Sequence, residues 1–488
     1  MNILLASAEL APLAKAGGMA DVAAYLPEEW QKSGHKAIVI LPKYYDIDIH
    51  SYGFRPTHLV LNVPMGDWTE HGSLWQGTIP GTDVPVYLIE NDDYFTRHGI
   101  YGDPKEFEDN DKRFIFFCRA IFEAAKALNF KPDIIHAHDY HTAFTMPMLR
   151  SWYKNDPFFA DTAGVYTIHN LAYQGWFKPE KAMEYSSFGM EEFYAGSWFE
   201  HRGTVNAMKI GIMFADKITT VSPTYAGEIR TSYFSEGMQD VLNQRGSDLI
   251  GILNGVDYDT WNPEKDDFLY SKYSPDYIQG KLENKRKFLE GHGLNESDNL
   301  DLPLVGIVSR LTEQKGIDIL MHKLEAFIAE NKIRFVLLGN GDTMYEDYFR
   351  YLRWKYPGRA LVHLGYNTEL SHRIIACSDF FLLPSRFEPC GLTQMYALKY
   401  GTIPIVRRTG GLADTVREYR SDAQTGNGFD FINYNANDMA YAINRALGIY
   451  NKAPHWDQIR LNAMSEDYSA ARSAAEYLKV FAWALEEK

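Results

Sequence analysis

Met1-Asn2-Ile3-Leu4-Leu5-Ala6-Ser7-Ala8-Glu9 opens the chain, and Lys15-Ala16-Gly17-Gly18-Met19-Ala20-Asp21-Val22 follows a few residues later. Ile3 to Ala6 is an apolar run of strand length. A glycine pair and a helix-like run come next, so the order is buried strand, glycine turn, helix, the beginning of a βαβ unit. The pattern continues outward from there. Ala37 to Leu41, Val84 to Ile89, Ile134 to Ala137, Val165 to Ile168 and Lys217 to Val221 read as further buried strands, with helical spacing between several of them, as over Asp111 to Leu128. After Asn254-Gly255-Val256-Asp257 a polar stretch rich in Asp and Tyr runs to about residue 300, and the alternation restarts. Leu304 to Ser309, Phe335 to Leu338, Ala360 to Leu364, Phe380 to Leu383 and Thr402 to Val406 form the second set. The reading is α/β: two doubly wound domains joined near residue 252, with a last helix over Ala470 to Glu486. In open parallel sheets ligands bind beyond the carboxyl ends of the strands, so two such domains facing each other would frame a cleft.

A chain of 488 residues exceeds what one hydrophobic core usually supports, in agreement with two domains. Apolar residues at 45% and charged residues at 23% belong to a folded protein, which sets disorder aside. The net charge of −15 and pI of about 5.5 oppose binding to nucleic acid or to an anionic membrane. An acidic protein that handles an anionic substrate must keep its cations local. Cys118, Cys377 and Cys390 are odd in number and widely spaced, which suits reduced thiols rather than a disulfide framework or a zinc site. The first apolar run is too short for a signal peptide and has no basic leader, and nowhere do about 18 apolar residues run together. A cytoplasmic protein is expected, or a plastid one if a transit peptide has been removed.

Three segments gather residues fit for phosphate and sugar chemistry. In Lys15 to Val22 the glycines allow close backbone approach, a helix start offers free amides, and Lys15 adds a full charge. A Gly-Gly turn also serves merely to link a strand to a helix, and spacing does not choose between the two. Ser309-Arg310-Leu311-Thr312-Glu313-Gln314-Lys315-Gly316 repeats the design after the first strand of the second domain, where an Arg and a Lys can grip a diphosphate from two sides. Its bland alternative is a solvated basic turn. Pro384-Ser385-Arg386-Phe387-Glu388-Pro389-Cys390-Gly391-Leu392-Thr393-Gln394 breaks a strand into a turn and starts a helix, placing a carboxylate for a sugar hydroxyl beside a phosphate contact. Alone it also reads as a capped helix with a solvated Glu388.

His136-Ala137-His138-Asp139-Tyr140-His141 and Thr167-Ile168-His169-Asn170-Leu171 each follow a strand. If the strand continues, 136, 138 and 140 share one face and 139 and 141 the other, so no tetrahedral metal set forms. Asp139, His141, His169 and Asn170 are read as hydrogen-bonding groups at strand ends. The acidic pairs Asp46 with Asp48 and Asp92 with Asp93 are read as surface loops. No metal and no cofactor is expected.

The three segments, joined by Arg408-Thr409-Gly410-Gly411-Leu412-Ala413-Asp414-Thr415-Val416, resemble the signatures of bacterial glycogen synthases and plant starch synthases. The resemblance runs from Glu9 to the final helix with every motif in order. It implies a retaining glucosyltransferase of the GT-B type, with two Rossmann-like domains facing a central cleft: residues 1–252 with 467–488 crossing back, holding the acceptor, and residues 253–466 holding the nucleotide sugar. The implied donor is ADP-glucose, with UDP-glucose as the alternative, and the implied acceptor is the end of an α-1,4-glucan. By the same resemblance, Lys15, Gly18 and Asp21 approach the donor; Arg310 and Lys315 neutralise its diphosphate, and Leu392 and Thr393 start the helix beneath it. Glu388, Cys390, Gly391 and His169 surround the donor glucose, Asn254 and Tyr366 lie near the nucleoside, and Asp139 and Asn170 lie beside the reacting centre. Glu388, His169, Asp139, Arg310, Lys315 and Lys15 form the implied catalytic set. Glu9, Arg97, Tyr101, Tyr140 and His141 form the implied acceptor side. Departures from the family pattern are Ala16 for Thr, Met19 for Leu and Tyr140 for Trp; Tyr396 stands where many related retaining transferases place a second Glu, a replacement this group of synthases shares.

Without a second acid paired to Glu388, the reading favours charge stabilisation of the leaving diphosphate and front-face attack over a covalent intermediate. Rivals are a sucrose synthase, an α-glucan phosphorylase, which would need lysine-bound pyridoxal phosphate, and a catalytically silent glucan-binding protein.

Overall fold

The computed structural model describes residues 1–103, 105–295 and 301–488; the end of the polar stretch, 296–300, lies outside them. The described residues divide into two compact units, Met1–Gly255 with Ala470–Lys488, and Val256–Ser469. Both divisions fall three residues beyond the boundaries read from the sequence, and Asn254 therefore belongs to the first unit.

The first unit is built on β1 (Asn2–Ala6), β2 (Lys36–Pro42), β3 (Arg55–Met65), β4 (Trp68–Thr78), β5 (Pro85–Glu90), β6 (Ile134–His138) and β7 (Ala163–Ile168). After the short strands β8 (Trp176–Phe177), β9 (Glu200–His201) and β10 (Thr204–Asn206), which form a small sheet of their own, come β11 (Lys217–Thr220) and β12 (Leu249–Gly251). The large sheet has the order β12-β11-β7-β6-β1-β2-β5-β4-β3. Ile3, Leu4, Leu5 and Ala6 are wholly buried, as a strand covered on both faces requires. β1 pairs in parallel with β2 on one side and β6 on the other, so the chain reverses its direction of winding there. That is the topological switch point, where ligands bind in open α/β sheets.

The antiparallel edge was not read from the sequence. β3 and β4 form a hairpin in which Met65 faces Trp68 across Gly66 and Asp67, and β4 pairs antiparallel with β5. Gly66 takes a positive φ of 58° at that two-residue turn. The strands are only half buried, so no continuous apolar run announces them.

Helix Ala470–Glu486 closes this unit against helix Gly18–Lys32. Trp30 Nε1 donates to the Ala474 carbonyl at 3.3 Å and its ring meets Phe481 at 5.1 Å, while the buried Lys217 ammonium lies 3.4 Å from the Trp483 ring centroid. Tyr477 and Phe481 are fully buried, and burial of the Phe481 ring stabilises the contact by about 1.5–3 kcal/mol.

The second unit carries β13 (Leu304–Val308), β14 (Arg334–Gly339), β15 (Ala360–Leu364), β16 (Phe380–Leu383), β17 (Ile403–Arg407) and β18 (Phe429–Phe431), all parallel, in the order β15-β14-β13-β16-β17-β18. Its switch point lies between β13 and β16. Phe288, Leu289, Leu304, Val336, Leu338, Leu361 and Ile374 pack into one core beneath that sheet. Among the described residues no helix is long and apolar enough to cross a membrane.

Candidate active site

In the first unit most nominated residues stand at the carboxyl ends of β1, β6 and β7, while Arg97 and Tyr101 follow β5 and Asn254 follows β12. Glu9 is buried, and both of its oxygens are engaged. Oε2 accepts the amides of Ala16 and Gly17 at 2.8 and 2.7 Å, and Oε1 accepts the Tyr101 hydroxyl at 2.5 Å. The amides leading into a helix have no partner inside it, and a carboxylate there also complements the helix dipole. This revises the expectation that the glycine turn offers its amides freely. The amides of Ala16 and Gly17 are held by Glu9, so the free ones begin at Gly18, the first residue of helix Gly18–Lys32. Glu9 and Tyr101, both expected on the acceptor side, spend these groups on each other. Lys15 is exposed and pairs with Asp21 at 2.7 Å. A side chain at Gly17 would meet nothing within 4 Å, so the glycine leaves open space beside the turn.

β6 ends at His138, and Tyr140–Thr142 forms a short 3-10 turn instead of continuing the strand. The expected alternation of faces across 136–141 therefore fails after 138. Asp139 sits at the break with φ of 54°, a strained value for a residue with a side chain. Its Oδ1 accepts the His169 amide at 2.7 Å, which ties the end of β6 to the end of β7. Burial, with the negative charge of Glu9 adding to it, pushes the Asp139 carboxyl up to about 8 against the pull of the His169 amide. His169 follows β7, its ring nitrogen Nε2 lies 2.8 Å from His138 Nδ1, and burial pushes its pKa down to about 3. The side chain of Asn170 accepts the Ala172 amide at 3.1 Å, shaping the turn that follows.

His141 stacks on Tyr101 with ring centroids 4.5 Å apart, and Tyr140 lies against His141. Gly175 makes room for Tyr140: a Cβ there would come 2.5 Å from the Tyr140 ring. Arg97 is committed to a bidentate pair with Asp109 at 2.9 and 2.8 Å and to the Asp93 carbonyl at 2.7 Å. The sequence reading missed Arg113. Wholly buried, it donates to Tyr94 and Asn110 at 2.6 Å each and to the Ile100 carbonyl, fixing the loop that carries Tyr101. Nothing in its position within a helical pattern signals that role. Asp92 and Asp93, read as a surface loop, open the short helix Asp92–Phe95.

The second unit places its nominated residues after β13, β15 and β16, with the glycine pair Gly410-Gly411 after β17. Lys315 Nζ lies 2.6 Å from Glu388 Oε2, which also accepts the Ser385 hydroxyl at 3.1 Å. Glu388 is buried, not solvated. Two glycines impose this geometry. Gly316, at φ of 74°, passes so close to β16 that a Cβ would lie 2.0 Å from the Pro384 carbonyl oxygen. Gly410, at φ of 44°, would bring a Cβ to 1.9 Å from the Glu388 carbonyl oxygen. The Gly410-Gly411 pair thus clamps the turn that presents Glu388, and the Gly411 amide donates to the Glu388 carbonyl at 3.2 Å. Gly391 has φ of 71°, and the Gln394 side chain donates to the Cys390 and Gly391 carbonyls at 3.0 and 2.9 Å, bracing the turn before Leu392 and helix Thr393–Lys399.

Arg310 is exposed, and its side chain bonds to no described residue. Tyr366, after β15, is 80% exposed. Asn254 is buried with its Oδ1 unpaired among the described residues. Tyr396 stacks on Trp261 at 3.9 Å, and His372 stacks on the opposite side at 3.7 Å, so the position that carries a second Glu in related transferases belongs here to an apolar stack. Among the described residues no group of three or more His, Cys, Asp or Glu is placed to hold a metal. Cys118, Cys377 and Cys390 are buried and form no disulfide among the described residues.

Residues 2–244 match the family described as starch synthase catalytic domain, and residues 295–459 match glycosyl transferases group 1. Glycogen synthase of Bacillus cereus (strain Q1) is 42% identical over 481 residues, covering 99% of each chain. Glycogen synthase of Thermosipho africanus is 42% identical over 494 residues, covering 100% of each. The catalytic domain of starch synthase IV from Arabidopsis thaliana, solved with ADP and acarbose bound, superposes with a TM-score of 0.89 at 34% identity, covering 99% of each chain. Sucrose-phosphate synthase from Thermosynechococcus elongatus, at 16% identity and a TM-score of 0.60, shares the fold. Two doubly wound sheets, one parallel throughout and one with an antiparallel edge, whose switch points carry the glycine loop, the Arg310–Lys315 pair and the Glu388 turn thus have full-length counterparts, and the chain belongs to the glycogen and starch synthase family of GT-B glycosyltransferases.

Proposed function

We propose that the chain transfers glucose from a nucleoside diphosphate glucose, ADP-glucose in preference to UDP-glucose, to the non-reducing end of an α-1,4-glucan with retention of configuration. In this reading Val256–Ser469 holds the nucleotide sugar, and Met1–Gly255 with Ala470–Lys488 holds the acceptor and contributes Lys15, Asp139 and His169 to the reaction. The observation that carries it is the β13–β16 switch point, where an exposed Arg310 and a Lys315 held by Glu388 stand at strand ends in a chain of net charge −15. Cations kept there in an acidic protein suit a diphosphate. The ligands of the starch synthase IV structure, ADP and acarbose, are of the chemical classes this reading requires.

Breaking the bond from glucose to diphosphate builds negative charge on the leaving oxygen. Arg310, Lys315 and Lys15 stabilise it, helped by the amides at the starts of helices Gly18–Lys32 and Thr393–Lys399. When the donor enters, Lys315 exchanges its carboxylate partner for phosphate, and Glu388 is left to orient the sugar and stabilise positive charge on it. With Tyr396 in its aromatic stack, no second carboxylate pairs with Glu388 in its motif, so the acceptor attacks from the front face and the departing phosphate takes its proton. The main-chain carbonyl of His169 supports the developing positive charge. Glu9 acts as a positioning residue, holding the glycine turn and Tyr101 together. Arg97, Tyr140 and His141 complete the acceptor side, and Asn254 and Tyr366 the nucleoside side.

The test is glucose transfer to glycogen from ADP-glucose and from UDP-glucose, each with and without added divalent metal. Incorporation from ADP-glucose well above that from UDP-glucose is expected. Incorporation from neither donor would overturn the reading, and a covalent glucosyl adduct trapped on Glu388 or Asp139 would overturn the front-face mechanism.

A further inference from the structure

The ring of His169 is held by a second histidine whose role is separate from the charge chemistry above. His138 ends β6 and is wholly buried, and its main chain is locked by Thr142, which accepts the His138 amide at 2.6 Å and donates to its carbonyl at 2.8 Å. Its ring lies 5.1 Å from that of His169 with an interplanar angle of 24°, close to parallel, and the facing nitrogens are His138 Nδ1 and His169 Nε2 at 2.8 Å. Burial drives the pKa of both rings down, so both are neutral near pH 7 and a single hydrogen lies between these two nitrogens.

Two arrangements are open, and the far nitrogens distinguish them. If His169 donated, the hydrogen of His138 would sit on Nε2, which is shut off from solvent and has no partner among the described residues. A buried orphan N–H is rarer in folded proteins than an under-used acceptor. If His138 donates, its buried Nε2 is a bare lone pair, and the hydrogen of His169 sits on Nδ1. That nitrogen bonds to no described residue and is not among those shut off from solvent. It is the end of the ring available to a ligand.

We infer that His138 is a positioning residue: it donates its Nδ1 hydrogen to His169 Nε2, fixes His169 as the Nδ1–H tautomer, and makes that ring a hydrogen-bond donor to a sugar oxygen. The link to sugar rests on the reading that His169 lies beside the donor glucose; the tautomer does not. His169 is held from two directions, its ring by His138 and its amide by Asp139, so one residue offers a fixed ring donor and a fixed main-chain carbonyl. Neighbouring His136 follows the same logic. Its Nε2 lies 2.6 Å from the Thr167 hydroxyl while its buried Nδ1 has no partner, which makes it a donor along the same sheet.

The experiment is a long-range 1H–15N correlation spectrum of the full chain labelled with 15N-histidine, with the His169 signals assigned by their loss in His169→Asn. The expected result is a protonated Nδ1 and an unprotonated Nε2 on His169, with that placement lost in His138→Phe, where the tautomers mix or invert. Glucose transfer by His138→Phe should fall by about 10- to 100-fold, the range over which orienting partners of functional histidines act, and His138→Gln, which keeps a side-chain donor, should recover part of it. A wild-type His169 protonated on Nε2, or a His169 tautomer unmoved by His138→Phe, overturns the inference. Should the Phe variant not fold, the spectrum of His138→Gln decides: Nδ1–H on His169 supports the inference and Nε2–H ends it. Absence of glucose transfer in the wild type would count against the proposed function and leave the spectroscopic result standing.

Discussion

The two switch points solve opposite problems. At the β1–β6 end of the first unit the polar groups are buried and already satisfied by one another: Glu9 by two amides and a tyrosine, Asp139 by the His169 amide, His169 by His138. At the β13–β16 end of the second unit the charges are less enclosed. Arg310 faces solvent, and Lys315 has a carboxylate partner that a phosphate can replace. A buried satisfied network fixes positions, because moving any member leaves a polar group without a partner. An exposed cation fixes nothing and is free to engage an anion. The comparison teaches that precision comes chiefly from the first sheet and charge chiefly from the second, with exposed Lys15 as the first sheet's own cation.

Four substitutions break or sharpen that contrast, the largest effect first. Lys315→Ala removes a cation from the charge-bearing end, and turnover should drop by roughly 100- to 1,000-fold, with a lowered urea unfolding midpoint as well because buried Glu388 keeps only the Ser385 hydroxyl as partner among the described residues; unchanged kinetics would take Lys315 out of the mechanism. Glu9→Ala, at the precision end, leaves two amides and the Tyr101 hydroxyl without their acceptor, and should lower unfolding stability by about 2–4 kcal/mol in urea titration. A stability change as small as that of a surface site would show that the carboxylate does not organise the loop.

Asp139→Asn keeps the acceptor for the His169 amide and removes the titration. The folded carboxyl is raised to about 8 from an unfolded value near 3.9, so the folded state binds the extra proton in that window. Wild-type stability should therefore be greatest below about pH 4 as far as this group is concerned, and decline as pH rises through 8, with a slope of about 1.4 kcal/mol per pH unit at most. The Asn variant should flatten that decline when unfolding is compared at several pH values, and an unaltered slope would assign the pH dependence to other groups. Asp21→Ala breaks the exposed pair with Lys15 and should change stability by less than about 0.5 kcal/mol. A larger loss would show that the glycine loop depends on that pair.

The parallel strands were legible because they are buried on both faces, which forces short unbroken apolar runs such as Ile3 to Ala6 and Phe380 to Leu383. Helix Ala470–Glu486 was legible from its apolar spacing. The β3–β4 hairpin was not, since its half-buried strands carry Pro56, Pro64, Gly72 and Gly77 and offer no continuous apolar signal. At the site, the motifs named the residues, and their spacing could not give their partners. The break after His138 went unread because strand periodicity has no term for a residue like Asp139 that leaves the strand in a strained conformation.

Sequence alone determined the alternation of strand and helix, the two-domain division to within a few residues, the acidic background, and the motifs that carry the family resemblance, all of which are local patterns or sums over the chain. Tertiary structure decided what those residues do to one another. Tyr101 meets Glu9 across 92 positions, Lys315 meets Glu388 across 73, and His138 meets His169 across 31. The reason is that a hydrogen bond or an ion pair is set by position and direction within a few tenths of an ångström, and those are fixed only when the sheets have formed and brought distant strand ends side by side.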